Sequence, residues 1–299
     1  MFKTNSSVFG SGALMAVTGV VLFSAKAVMV KLAYTYNVDH LTLLLFRMFF
    51  AFPVYVLIAI WKKPLNPNIV GKKDYLWIVF FGFVGYYLAS LFDFMGLQYI
   101  KAGLERIILF IYPTIVVLLS WLVFGKRISR IQGIAIGITY IGVLVTFWGE
   151  ISINENTALM GGALIFLSAL TYASYLVGSG WLIPKFGAIQ FTAYAMIVST
   201  LCIVAHYLMV RGFTLQVYPT EVYILGIAMA LFSTLIPSFL VSEAINRLGA
   251  STFSIFGSLG PVSTIILAFI FLGEQISFVQ LAGMLVVIFG VLLVSRKKE

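Results

Sequence analysis

The chain has 299 residues, of which 62% are hydrophobic and 10% charged, and its formal net charge is +9. Soluble domains carry roughly 25% charged residues, so the composition excludes an ordinary water-soluble domain and fits a chain solvated by lipid. The single cysteine, Cys202, excludes an internal disulfide framework and a multi-cysteine zinc site, and the basic residues sit in short loops rather than in a nucleic-acid-binding stripe.

A transmembrane helix needs about 20 apolar residues to cross a hydrocarbon core of about 30 Å. Hydropathy and turn residues predict ten of them, over 12–33, 42–61, 75–96, 103–124, 131–149, 158–183, 189–210, 221–242, 249–272 and 278–295. The first contains Lys26 and Lys31 and is too long and too polar for a signal-peptide core, so it is expected to be a retained span. Short connections make this one all-α membrane domain of two five-helix halves, 1–153 and 154–299, with a seam at Asn154-Glu155-Asn156.

Alternate loops carry opposite charge. One side holds Lys3, Lys62-Lys63, Lys72-Lys73, Lys126-Arg127, Arg130, Lys185, Arg247 and Arg296-Lys297-Lys298. The other holds Lys101 and Arg211 with Glu150, Glu155, Glu221 and Glu274. By the positive-inside rule both termini are expected in the cytoplasm. Five spans per half, an odd number, then invert the second half relative to the first.

Residues 95–149 and 243–297 align as two copies at a constant offset of 148, which puts Pro113 on Pro261, Gly125 on Gly273 and Gln132 on Gln280. Ile128-Ser129 falls on Ile276-Ser277, while basic Lys126 and Arg127 face Glu274 and Gln275. Apolar helices that repeat while their loop exchanges charge are the mark of an inverted repeat, a feature of transporters.

The second copy reads P-x11-GE-x5-Q-x2-G-x6-G through Pro261, Gly273-Glu274, Gln280, Gly283 and Gly290. This is similar to the second-repeat signature of EamA-type carriers in the drug/metabolite transporter superfamily. The first copy repeats it with Lys126 in place of the glutamate, and Lys31 and Arg47 also resemble family features. The resemblance covers essentially the whole chain. It implies a ten-helix carrier with inverted repeats, alternating access and a central cavity that exports amino acids or other small metabolites. Phe23-Ser24 stand where the family commonly has Trp-Gly, and Lys26 follows within the membrane, so no substrate is carried over from a relative.

Six ionisable residues fall inside the predicted spans of the first half. At 1.5 Å rise per residue, Lys26 lies roughly 5 Å and Arg47 roughly 7 Å from the midplane, with Lys31, Asp93, Glu105 and Arg106 roughly 11–13 Å out on the non-cytoplasmic side. A lone charge at the centre of a bilayer costs at least about 2.5 kcal/mol, so these groups are expected to face the protein interior or water and to find partners. Two readings follow. The surplus of cations makes an outward-side vestibule for anionic or carboxylate-bearing solutes, in which Lys26 and Arg47 bind substrate. Alternatively the charges snorkel or form structural pairs, such as Lys26 with Asp93 or Arg106 with Glu105; Asp93, Glu105 and Arg106 are then gating or ion-pair residues. The two carboxylates also raise proton coupling.

The second half is nearly free of embedded charge; Glu243 and Arg247 read as an interfacial pair, and His206 as a satisfied interfacial residue. Its contribution to a cavity is expected from Tyr172, Tyr175, Ser233 and Ser254, matched by Tyr86, Tyr87 and Tyr112 in the first half. Pro113 and Pro261 remove backbone hydrogen bonds at equivalent places and serve either as hinges or as fixed kinks. Gly82, Gly85, Gly133, Gly137, Gly283 and Gly290 are expected to allow close helix contact.

Together these features point to a secondary transporter of a small polar metabolite, an amino acid or organic anion, in a bacterial inner membrane. A lipid or phosphate-bearing solute carrier is the alternative. A membrane enzyme is disfavoured: His40 and His206 supply no metal spacing, and the chain has no phosphate-binding glycine loop. No cofactor and no metal are expected. The expected partners are the small-molecule substrate and the lipid bilayer, not nucleic acid, with the protein a monomer or a homodimer.

Overall fold

A computed structural model describes residues 6–125, 128–151, 155–214, 216–248, 253, 256–257 and 259–295. Every extended element in it is helical: α1 (Ser6–Tyr34), α2 (His40–Trp61), α3 (Lys72–Gly96), α4 (Ala102–Leu109), α5 (Tyr112–Phe124), α6 (Arg130–Ile151), α7 (Glu155–Phe186), α8 (Ala188–Arg211), α9 (Thr220–Leu248), α10 (Leu259–Leu272) and α11 (Phe278–Ser295). Among the described residues seven helices are long and apolar enough to cross a membrane: α1, α2, α3, α4 with α5 as one unit, α7, α8 and α9. Apolar stretches of α6, α10 and α11 are shorter. Large apolar side chains such as Trp61, Leu122 and Phe269 stand exposed on the outside, as a lipid-facing surface requires.

The helix ends follow local chemistry. Asp39 caps α2, accepting from the amides of Leu41 and Thr42 at 3.0 Å and from the Thr42 hydroxyl at 2.6 Å. Burial works against this carboxylate's charge, but the Thr42 hydrogen bonds and the Arg211 guanidinium win and hold its pKa below the ordinary carboxylate range. Gly125 and Gly273 end α5 and α10 in the left-handed region, at φ 64° and 65°. Beyond each glycine the same serine–glutamine cap opens the following helix. The Ser129 amide donates to the Gln132 side chain at 2.9 Å, and the Ser277 amide to that of Gln280 at 3.0 Å.

Two helices widen into a π turn, α3 over Phe83–Leu88 and α9 over Leu231–Leu235. These segments start 148 residues apart, the spacing at which the sequence copies align. Such bulges carry an unpaired turn at a cost in helix stability and cluster at functional sites.

The helix formed by 102–124 is interrupted at Phe110–Ile111, where the sequence predicts one bent span. Pro113 is the second residue of α5, and the turn is closed by the Thr114 amide and hydroxyl, which donate to the Ile111 carbonyl at 3.0 and 2.8 Å. The proline thus starts a new helix rather than bending a continuous one. Pro261 differs: Phe256 and Gly257 ahead of it are already helical, so no such break is described before it. The seam residue Asn154, the loop residues Lys126 and Arg127, and Ser254 lie outside the described residues.

Close helix contact through glycine is confined to part of the expected set. α6 and α11 meet where a Cβ on Gly283 would stand 2.7 Å from the Gly142 carbonyl oxygen, and one on Gly142 would stand 2.7 Å from the Val287 amide. Gly82, Gly85 and Gly290 are similarly tight, whereas Gly133 and Gly137 have nothing within 4 Å and do not serve packing within this chain. Replacing Gly283 with leucine is therefore expected to cost about 1–3 kcal/mol through overpacking, and Gly133→Leu less than about 0.5 kcal/mol. Thermal melts of the two variants in detergent check this, and equal shifts would contradict the α6–α11 contact.

Candidate functional site

Five buried charged side chains are brought together by four neighbouring helices. Lys26 comes from the middle of α1, Arg47 from α2, Asp93 from the end of α3, and Glu105 with Arg106 from α4. All are buried, at 4%, 3%, 2%, 0% and 9% exposure, which rules out snorkelling for Glu105 and Arg106. Lys26 Nζ stands 2.6 Å from Asp93 Oδ2 and 3.4 Å from Glu105 Oε1. Of the pairs expected from sequence, Lys26 with Asp93 forms. Glu105 is engaged by the same lysine, while Arg106 Nη2 points to the Ser24 hydroxyl at 3.4 Å.

Phe23 and Ser24, the departures from the family pattern, are both part of this arrangement. The Phe23 ring takes Lys26 and Arg106 over its faces at 5.4 and 5.2 Å, a cation–π contact that offsets part of the desolvation. Ser24 ties α1 to α10, donating to the Gly260 carbonyl at 3.2 Å and receiving Thr264 at its own carbonyl at 3.1 Å.

Arg47 is held differently. Its Nε donates to Thr234 Oγ1 at 2.7 Å and its guanidinium lies over Phe94 at 5.4 Å. Its Nη1 is buried without a hydrogen-bond partner. A donor left so is costly in a finished structure and marks a place for an acceptor.

These residues form one end of a central cavity. Its wall includes Lys26, Arg47, Asp93 and Arg106 at the charged end, and it runs past Tyr86, Tyr112, Tyr172 and Tyr175 toward Ile183 and Ile245, near Lys185 and Arg247. The space open to the centres of water molecules is about 100 Å³, several times the ~10–15 Å³ that one water needs. The tyrosines form a continuous aromatic wall, with ring centroids 4.7 Å apart for Tyr86–Tyr175, 6.2 Å for Tyr172–Tyr175 and 5.4 Å for Tyr112–Tyr172. A side chain on Gly85 would collide with Tyr175, so this glycine lets the π turn of α3 approach α7.

The two π turns supply matching wall positions, Tyr86 and Thr234, offset by 148. So do Leu109 and Gly257, each four residues before its proline. Thr234 and Ser238 line the wall although sequence alone points to Ser233. Ser233 instead donates to the Met229 carbonyl of its own helix at 2.9 Å. The signal that would have found Thr234 is its alignment with Tyr86. Tyr87 also turns away, bonding His206 Nδ1 at 3.0 Å, and Lys31 is half-buried outside the cavity wall.

The charged end is closed by contacts at the α3–α4 side. Tyr34 donates to the Phe94 carbonyl at 2.6 Å. Glu274, the acidic residue of the second-copy signature, caps α4 by accepting from the amides of Ala102 and Gly103 at 2.9 and 3.1 Å. Asp39 and Arg211 pair at 3.4 Å near the same end. At the opposite end Lys185 meets Asp74 at 2.7 Å, and Arg247 meets Glu243 at 2.6 Å as expected.

A sequence-family model for the EamA-like transporter family matches residues 10–148 and again 159–296. The chain belongs to the EamA-like transporter family. It is 30% identical over 285 residues to the uncharacterized transporter YcbK of Bacillus subtilis, covering 91% of this chain and 89% of that one. It is 25% identical over 272 residues to the uncharacterized transporter sll1319 of Synechocystis, covering 86% and 79%. A solved crystal structure shares the fold, with a TM-score of 0.64 over 95% of this chain and 97% of that chain at 15% identity. This EamA-like protein is therefore a multi-pass membrane transporter.

Removing the lysine strands buried carboxylates, which costs about 3–5 kcal/mol when one partner of a buried pair is lost. Lys26→Ala is expected to melt at markedly lower temperature than wild type, and Lys26→Ala combined with Asp93→Asn to recover much of the loss. If the double variant melts no higher than the single one, the pair does not carry that stability.

Proposed function

We propose that this EamA-like protein is a secondary transporter that carries a small metabolite bearing an anionic group, an amino acid or an organic anion, through the central cavity by alternating access. The observation that carries this reading is Arg47. It is a buried arginine on the cavity wall, fixed by Thr234 at 2.7 Å and with Nη1 unpartnered. Three cations against two carboxylates leave the charged end positive even when both acids are ionised. An anionic head at Arg47 would satisfy the free donor, while the tyrosine wall takes an apolar or aromatic body.

The paired π turns, the paired αL glycines and the repeated serine–glutamine caps support two five-helix halves, 1–153 and 154–299, inverted as the loop charges require. In that arrangement both termini are cytoplasmic, in a bacterial inner membrane. The cavity extends toward the basic end, near Lys185 and Arg247, while the buried cluster closes the other. This is an inward-facing state. Pro113, at the start of α5, and Pro261, at the equivalent position in the second half, are the hinge positions about which the charged end would open. Export is the direction implied by the family. A phosphate-bearing solute would satisfy the same arginine.

The test is a thermal-stability screen of purified protein with glutamate and succinate as acidic probes, phenylalanine as a zwitterion and putrescine as a cation. A ligand at a hundred times its dissociation constant adds about 2.7 kcal/mol. Acidic or zwitterionic probes are expected to stabilise wild type and to fail with Arg47→Gln. Stabilisation by putrescine alone, or an unchanged response in Arg47→Gln, would overturn the anionic-solute reading.

A further inference from the structure

Asp93 and Glu105 are nearly inaccessible, and both reach one ammonium, Lys26 Nζ, at 2.6 and 3.4 Å. Their carboxyl groups also lie within hydrogen-bonding reach of each other. Two ionised carboxylates present acceptors only, so a hydrogen bond between them needs a proton. The pattern of unmet contacts agrees. Glu105 Oε2 and Asp93 Oδ1 have no hydrogen-bond partner, while Asp93 Oδ2 is held against the Lys26 ammonium at 2.6 Å. One added proton supplies the missing donor: the protonated carboxyl donates to its neighbour, and the remaining negative charge stays against Lys26. Paired carboxyls in one buried site share a proton for this reason.

The groups facing the pair set what the proton responds to. Lys26 comes from α1, as does Tyr34, whose hydroxyl is bonded to the Phe94 carbonyl beside Asp93. Arg47 comes from α2 and acts on Asp93 through its charge. Arg106 comes from α4, next to Glu105, and acts on it in the same way. Tyr112 and Tyr172 lie further along the wall from α5 and α7, and α10 adds the neutral Thr264, bonded to the Ser24 carbonyl. A proton therefore enters a cluster that is already positive. An anion seated at Arg47 lowers that positive potential and makes protonation more favourable, and by linkage the proton makes anion binding tighter by the same factor.

We propose that Asp93 and Glu105 form a single proton-binding site that loads together with the anionic solute, so that proton and solute cross in the same step. This rests on the transport reading above. The proton is taken from water on the open side, forms an O–H bond on one carboxyl, and returns to water when the cluster opens on the other side. The net direction follows the sum of the two gradients, so export by this step requires an outward solute gradient larger than the inward proton gradient.

The proton is read without any substrate, by infrared spectroscopy of the protein in lipid nanodiscs over a pH series. Wild type is expected to show a protonated-carboxyl C=O band at about pH 7, above the range in which free side-chain carboxylic acids persist. That band should be missing from both Glu105→Gln and Asp93→Asn, and saturating succinate should move its disappearance to higher pH in wild type. No band near neutrality in wild type, or an undiminished band in both variants, would overturn the shared site. A band that succinate leaves unmoved would overturn the coupling. The two proposals fail separately. Acidic probes that stabilise a protein lacking the band would leave the transport reading standing, and a band in a protein that no probe stabilises would leave the proton site without its anion.

Discussion

Placing Lys26 in the middle of an apolar helix commits the surrounding structure. An ammonium there is tolerable only if carboxylates meet it in place, and a buried pair returns its desolvation cost only with good geometry. Asp93 and Glu105 come from separate helices, so their contacts at 2.6 and 3.4 Å lock α1 to the end of α3 and the start of α4. Around this lock the other features fall into place. Phe23 screens two cations, Ser24 ties α1 to α10, and Glu274 fixes the start of α4 from across the molecule. The second-copy glutamate of the family signature thus has a plain physical task as a helix cap.

The two halves share a framework and differ in chemistry. The positions equivalent to Lys26, Arg47, Asp93 and Glu105 at the 148-residue offset are Ser174, Ala195, Val241 and Phe253, all uncharged. The framework is kept in the π turns, the glycine caps and the serine–glutamine boxes. Backbone devices of this kind depend on local sequence and survive duplication easily. Buried charges must be placed as a balanced set, so one half carries all of them while the other supplies hydroxyls and aromatic rings.

That division explains what was legible in the sequence. Apolar span lengths follow from single-helix physics, and most described helices lie within a few residues of the spans that hydropathy and turn residues predict. Lys26, Arg47, Asp93 and Arg106 were recognisable because a charge in an apolar run must be accommodated, and Tyr86, Tyr112 and Tyr175 do line the cavity. Partner choice was not legible. Whether Glu105 would meet Arg106 beside it or Lys26 from another helix depends on helix rotation, which hydropathy does not encode. The π turns shift that rotation by a fraction of a turn, which is why Thr234 faces the cavity while Ser233 bonds its own helix. The break at Phe110–Ile111 escaped because a proline alone does not distinguish a kink from a new helix start.

The same lock sets the terms on which the transporter changes state. In the proposed cycle, opening the charged end draws α1 away from α3 and α4 and separates Lys26 from Asp93 and Glu105. With nothing to replace the lost partner, that separation leaves charges stranded at a cost of several kcal/mol, so the closed arrangement is the resting one. A ligand shifts such an equilibrium only by the difference in its affinity for the two states. A ligand that merely filled the aromatic wall equally well in both would bind and move nothing. A solute carried as proposed must therefore act on the charges themselves, as an anion at Arg47 and a proton on the carboxyl pair would. Neutralising one carboxyl weakens the hold on Lys26, and adding an anion compensates the cations that the opening exposes. Under that proposal, loading lowers the cost of opening, and the empty carrier keeps its charged end shut.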